Sequence, residues 1–230
     1  MIAVYYRKVF SHLEEDAFFR LLGKVEAGRR ERLLKMKGKE QQMCSLAAGC
    51  LLHDALCRKL GEPAGDRDAF QVAYGTMGKP YLPGYPGIHF NLSHSGEYVC
   101  CAVGDVPVGV DLQKKAARDG SGQPGLWRYK RLAERFFTRE DNLRLEACCE
   151  EEREDWFFRM WSVKESYSKL SGIGIARGLS GFEIDWERNA VLEKGRVEPW
   201  AYFAEQDKLG GYSFSLCTRD RGQEIAWKEG

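Results

Sequence analysis

Two long helical stretches, each stopped by a glycine and followed by short strands, constrain this chain more than any other feature. Over residues 41–60, Leu46, Cys50, Leu51, Leu56 and Leu60 fall on one side of a helix, and Gly61 ends it. Residues 155–170 are the strongest helical stretch of the second half, closed by Ser171-Gly172. Apolar residues at helical spacing also mark 14–22 and 29–36, with further helices at 128–137 and 140–148. Strands are expected at 2–9, 70–74, 88–91, 98–103, 108–112, 200–205 and 212–217, with a hairpin over 179–186 and 191–194. The pair 98–103 and 108–112 reads as adjacent strands across Gly104-Asp105, a hairpin signal. Residues 75–87, rich in Gly and Pro, read as irregular, and Gly49 inside its helix predicts close packing of another element.

Each half therefore reads as helices followed by a small antiparallel sheet. A short echo supports this: Gly96-Glu97-Tyr98-Val99-Cys100-Cys101 resembles Gly210-Gly211-Tyr212-Ser213-Phe214-Ser215, a turn into a strand in both. The expected fold is α+β, with two pseudo-symmetric lobes, each a small antiparallel sheet with helices packed on one side. The expected division is an N-terminal lobe over 1–113, an inter-lobe connection over 114–127 and a C-terminal lobe over 128–230. The connection is charged and Gly-rich, as a mobile linker would be.

The chain has 230 residues, enough for one large domain or two small lobes with real cores, and its 43% hydrophobic and 30% charged content suits a globular protein in water. No apolar run approaches the length of a membrane span, and the first residues lack the pattern of a signal peptide, so a cytoplasmic location is expected. The eight cysteines form no Cys-x-x-Cys pair, and most lie in apolar segments, so reduced and buried thiols are expected. A net charge of +1 predicts no nucleic-acid partner. Charge is uneven, however: residues 20–40 hold eight basic against three acidic residues, and 140–155 eight acidic against two basic. Either run is ordinary as a solvated helix face, and the basic run would also suit a polyanionic cofactor or an acidic protein.

Four blocks carry candidate chemistry. Asp111 and Gln113 sit two apart on a strand, so both side chains leave one face, an oxygen pair suited to Mg²⁺. Glu165 and Lys169 are one helical turn apart on a face shared with Trp161 and Ser162; alone, such a pair is usually a surface ion pair. Ser93-His94-Ser95-Gly96 reads as a turn that opens a short helix, where backbone N–H groups would receive phosphate. Gly78-Lys79-Pro80 presents a basic residue on a loop that Pro80 stiffens. There is no Walker loop, dinucleotide glycine fingerprint or Gly-x-Ser-x-Gly elbow, which argues against ATP, dinucleotide and serine-hydrolase chemistry.

These blocks stand in one order: Gly78-Lys79-Pro80, then Gly87-Ile88-His89-Phe90-Asn91-Leu92-Ser93-His94-Ser95-Gly96, then Gly109-Val110-Asp111, then Trp161-Ser162-Val163-Lys164-Glu165-Ser166-Tyr167-Ser168-Lys169. Together they resemble the surfactin-type 4′-phosphopantetheinyl transferases, from about Arg29 to Cys217. The resemblance implies transfer of the phosphopantetheine arm of coenzyme A to a serine of an apo acyl or peptidyl carrier protein, with Mg²⁺ as cofactor and 3′,5′-ADP released. It implies a metal held by Asp111, Gln113 and Glu165, with Glu165 helping to deprotonate the attacking serine. Lys169 would contact phosphate or protonate the leaving group. Ser93, His94, Lys164 and Asp111 would bind coenzyme A with Lys79 on its adenosine side and Arg30 on its 3′-phosphate side.

The chain departs from the enzymes it resembles at two positions: Gln113, where a Glu is common, and Ser45, where some carry Arg. Arg29, Arg32 and Lys39 are candidates to replace the latter. By the resemblance, the carrier helix would dock near Phe136-Phe137 and the helix that follows, and a monomer is expected. A non-catalytic binder of coenzyme A or carrier protein, and a Mg²⁺-dependent phosphodiesterase, are the competing classes. A binder would not need the carboxylates.

Overall fold

The computed structural model describes residues 1–61, 70–115, 129–174, 179–193 and 199–230; from residue 116 on, the expected connection lies outside them. The first part of the chain runs β1 (Ile2–Lys8), α1 (Glu15–Leu22), α2 (Ala27–Lys35), α3 (Lys39–Leu60), β2 (Ala73–Tyr74), β3 (Pro80–Tyr81), β4 (His89–Ser95), β5 (Tyr98–Gly104) and β6 (Val108–Lys114). It continues with α4 (Lys130–Phe136), α5 (Arg139–Ala147), α6 (Glu150–Ser171), β7 (Phe182–Asp185), β8 (Ala190–Glu193), β9 (Ala201–Gln206), β10 (Tyr212–Thr218) and β11 (Ile225–Glu229). One sheet has the order β11-β1-β5-β4 and the other β6-β10-β9-β8-β7; β2 and β3 form a small ribbon. All pairings are antiparallel except β1 with β11.

Strand alternation explains how these parts stack. On the first sheet Tyr5, Val99, Cys101 and Val103 turn toward α3 and meet Ala47, Ala48, Leu51 and Ala55. Their neighbours Ile2, Val4, Cys100 and Ala102 turn the other way and meet Val108, Val110, Leu112, Phe214 and Leu216 of the second sheet. The far side of the second sheet carries α6, whose Val163, Tyr167 and Leu170 pack with Phe182, Val191 and Phe203. The layers are thus helix, sheet, sheet, helix, the two-lobed α+β arrangement expected from the sequence. No disulfide links the cysteines among the described residues, and Cys50, Cys57, Cys100, Cys101 and Cys217 are buried.

Glycine ends both long helices in the left-handed region, Gly61 at φ 70° and Gly172 at φ 76°. Gly49 of α3 has the predicted close neighbours, since a Cβ there would meet Val25 and the Arg29 stem at 2.9 Å. The β7–β8 hairpin also stands as read.

Three expectations need correction. First, 98–103 and 108–112 do not pair: β6 pairs with β10 in the other sheet, because both of its faces are wanted there, the Val108-Val110-Leu112 face between the sheets and the Gly109-Asp111 face against α6. Second, Ser93-His94-Ser95 opens no helix but belongs to β4. Third, α6 begins at Glu150 rather than at 155, with Glu150, Glu151 and Glu152 in a first turn where the helix dipole favours carboxylates. β11 was not visible in the sequence pattern.

Candidate functional site

The site forms where the edges of the two sheets face one another. β4 and β6 are both edge strands, so β6 would leave every second backbone N–H unpaired. Side chains of β4 fill the gap. Asn91 Oδ1 accepts from Val110 N at 2.8 Å, Ser93 Oγ from Leu112 N at 3.3 Å and Ser95 Oγ from Lys114 N at 2.9 Å. The Asn-x-Ser-x-Ser alternation is a strand whose polar face is spent on a neighbouring strand edge, not a turn. This ladder fixes β6, and with it Asp111, against the first sheet.

From the opposite side α6 comes unusually close. A Cβ on Gly109 would lie 2.0 Å from the Ser166 carbonyl oxygen and 2.4 Å from the Leu170 nitrogen, so only glycine allows the approach. Hydroxyls line the contact: Ser162 Oγ lies 2.8 Å from Ser215 Oγ, and Ser166 Oγ donates to Cys217 Sγ at 3.1 Å. The next helical turn then places Glu165 and Lys169 over Asp111.

Five expected residues meet here. Lys169 Nζ donates to Asp111 Oδ1 at 2.6 Å, to Ser93 Oγ at 2.8 Å and to the Val110 carbonyl at 3.1 Å. Ser93 Oγ donates to Asp111 Oδ1 at 2.9 Å, and Gln113 Nε2 to Asp111 Oδ2 at 3.0 Å. Glu165 Oε1 accepts from Trp161 Nε1 at 2.6 Å. Burial and the Asp111 carboxylate push the pKa of Glu165 up to about 7, while Lys169 and Trp161 pull the other way. Two carboxyl groups crowded together with one lysine between them suit a cation or a shared proton. Among the described residues no three His, Cys, Asp or Glu side chains converge on a site for a metal ion.

Beside this cluster opens a pocket of about 310 Å³, lined among others by Gly78, Lys79, Pro80, Asn91, Glu165, Ser168 and Lys169. Lys79 Nζ donates to the carbonyls of Leu170 at 3.0 Å and Val108 at 3.2 Å. Burial, with Arg219 adding to it, lowers its pKa to about 8.

Other expected residues lie elsewhere. His94 is exposed on the opposite face of β4 from Ser93. Partial burial and the Lys169 charge lower its pKa, and the Arg29 guanidinium adds to this. Arg30 is engaged locally, donating to the Val25 carbonyl at 3.0 Å. Lys164 is fully buried on another side of α6, paired with Asp141 at 2.8 Å and donating to the carbonyls of Leu179 at 2.9 Å and Phe182 at 3.0 Å. It is tied to the protein interior rather than to the pocket, because successive helical residues point about 100° apart. Phe137 is buried and Phe136 half-buried, both packing on Trp161, so the aromatic pair belongs to the interior, and the large apolar side chains exposed on α4 and α5 are Leu132 and Leu143. Asn91 and Trp161 enter the site without a role read from the sequence. Had the strand been followed to Ser95, the i, i+2 spacing of Asn91 to Ser93 would have placed Asn91 on the same face.

No helix among the described residues is long and apolar enough to cross a membrane. The family model of the 4′-phosphopantetheinyl transferase superfamily matches residues 107–217. A 4′-phosphopantetheinyl transferase of Bacillus subtilis is 33% identical over 222 residues, covering 94% of this chain and 90% of the relative. The 4′-phosphopantetheinyl transferase Sfp of Bacillus subtilis strain 168 is 30% identical, covering 90% and 87%, and psf-1 of Bacillus pumilus is 42% identical over a shorter stretch, 65% and 61%.

Proposed function

The chain belongs to the 4′-phosphopantetheinyl transferase superfamily, and from that premise we propose that it transfers the 4′-phosphopantetheine arm of coenzyme A to a serine hydroxyl of an apo carrier protein. The observation that carries this reading is the meeting of Asp111 from β6 with Glu165 and Lys169 from α6 at the mouth of a pocket. In the reaction the serine oxygen forms a bond to the phosphorus next to the pantetheine arm, and the bridging P–O bond of the diphosphate breaks. The serine proton goes to Glu165, the carboxyl group that lines the pocket beside Lys169. The leaving group is 3′,5′-ADP. Lys169 places an ammonium where negative charge grows on its departing oxygen, and Lys79 adds a second positive charge at the pocket wall.

The donor set also fits a divalent cation such as Mg²⁺. Asp111 and Glu165 supply anionic oxygens, Gln113 a neutral one, and the raised pKa of Glu165 marks a carboxyl pair short of positive charge. When bound, such a cation would neutralise charge on the diphosphate oxygens. Ser93 and Trp161 hold the two carboxylates in place by hydrogen bonds.

The test is to incubate the protein with coenzyme A, Mg²⁺ and a panel of apo carriers and to weigh the carriers. A gain of one phosphopantetheine that depends on the carrier serine supports the proposal. Coenzyme A breakdown without carrier, or binding with no reaction, overturns it.

A further inference from the structure

Among the described residues, Arg29, Arg30, Gln206 and Ser213 each bury a side-chain nitrogen or oxygen with no hydrogen-bond partner. Ser213 is the one beside the carboxylates. It is 5% exposed and sits on β10 directly across from Gln113, as Ser215 sits across from Asp111. Directly opposed residues of an antiparallel pair send their side chains to one face, so both serines lie on the α6 side of the sheet. Ser215 Oγ is satisfied there, 2.8 Å from Ser162 Oγ and 3.2 Å from Ser166 Oγ. Ser213 Oγ is left unpaired at a cost, since a buried hydroxyl that gives up water and gains no partner destabilises the fold. Its neighbour in the register, Gln113, has its NH₂ on Asp111 Oδ2 at 3.0 Å. That orientation turns a donor toward the carboxylate that would hold a cation, and only the Oε1 end of the amide can ligate one.

We propose that Ser213 positions Gln113 for the cation. When the cation site is filled, the Gln113 carboxamide swings off Asp111, its NH₂ donates to Ser213 Oγ, and its Oε1 is held toward the ion. The assignment rests on the cation reading given above. It makes Ser213 a positioning residue, idle in the metal-free protein and used in the loaded one.

Ser213→Ala tests this through two readouts that a merely structural hydroxyl would move differently. Metal-free, the variant should melt at or slightly above the wild-type temperature, because it loses a hydroxyl that has no partner in that state. Calorimetric titration of the folded protein with Mg²⁺ should show an affinity roughly threefold to tenfold weaker than wild type, the scale of one hydrogen bond. In a Gln113→Met background, which keeps an unbranched side chain and removes the amide, the same serine substitution should leave Mg²⁺ affinity unchanged. Equal affinity of wild type and Ser213→Ala overturns the proposal. So does equal weakening in both backgrounds, or a metal-free Ser213→Ala protein that melts well below wild type. If Ser213→Ala does not fold, Ser213→Cys, of nearly the same shape but with a weakly accepting sulfur, takes its place in the same titrations. A wild-type protein that binds no Mg²⁺ refutes the cation reading itself, and this proposal with it, and is told apart by that control.

Discussion

α3 and α6 have the same length, 22 residues, end on glycines of the same left-handed conformation and each pack on a sheet, yet they bury opposite chemistry. The inner face of α3 is Leu46, Ala47, Leu51, Leu52, Ala55 and Leu56. The buried part of α6 includes Ser162, Lys164, Glu165, Ser166 and Ser168. α3 stabilises its sheet by removing apolar surface from water, worth about 1.5–3 kcal/mol for each fully buried leucine. α6 instead buries groups that cost free energy unless each finds a partner, and its partners come from β6, β10, α5 and the β7 region. One scaffold, used twice, thus holds the molecule together on one side and presents reactive groups on the other.

The largest effect that would break this comparison comes from Glu165→Gln. It should cut transfer at least about a hundredfold while the protein stays folded, since it removes the proposed base and cation ligand but keeps the shape. Leu51→Ala in α3 should do the reverse, lowering stability by about 2–5 kcal/mol with turnover of the folded protein close to wild type. Turnover above half of wild type in Glu165→Gln, with denaturation curves superimposed, would remove Glu165 from the chemistry.

Lys164 sharpens the contrast within α6 itself. Lys164→Ala leaves Asp141 buried without its partner and should cost about 3–5 kcal/mol in urea unfolding, whereas Lys164→Met should be much milder in an Asp141→Asn background. Neither should change the KM for coenzyme A in folded protein; a rise would place Lys164 back among the ligand-binding groups.

Lys79 offers a test by pH. Its pKa of about 8 means that it is charged below that pH and neutral above it. kcat/KM for coenzyme A should therefore fall as pH rises through about 8, and Lys79→Arg, which stays charged, should carry the activity to higher pH. Identical profiles for the two proteins would show that Lys79 does not serve the anion.

The smallest expected effect is at Gln113. Replacing its neutral oxygen by a carboxylate, Gln113→Glu, should lower the Mg²⁺ concentration for half-maximal activity several-fold without adding a new reaction. A half-saturation point that does not move would mean that Gln113 serves only to hold Asp111.

Much of the chain was legible in local pattern. Helical periodicity and glycine stops located α3 and most of α6, and the strand pattern located the β7–β8 hairpin. The pairs Asp111–Gln113 and Glu165–Lys169 were legible too, because spacing within one element decides which side chains share a face. Strand partnership was not. Gly104-Asp105 looks like a hairpin, and nothing local says that β6 leaves β5 for β10 or that β11 returns to pair with β1. Ser93-His94-Ser95 has the composition of a turn, and only the unpaired edge of β6 explains why those polar side chains belong in a strand. Likewise Lys164 and Lys169 are the same residue type on one helix. Composition cannot tell that one is sealed against Asp141 and the other reaches Asp111, since that depends on which flank of α6 meets α5 and which meets β6. The sequence alone determined the elements, the residue types available for phosphoryl chemistry and the family they resemble. Only the tertiary structure decided which of those residues meet, because the groups come from elements far apart in the chain, joined by edge pairing and by the close approach at Gly109.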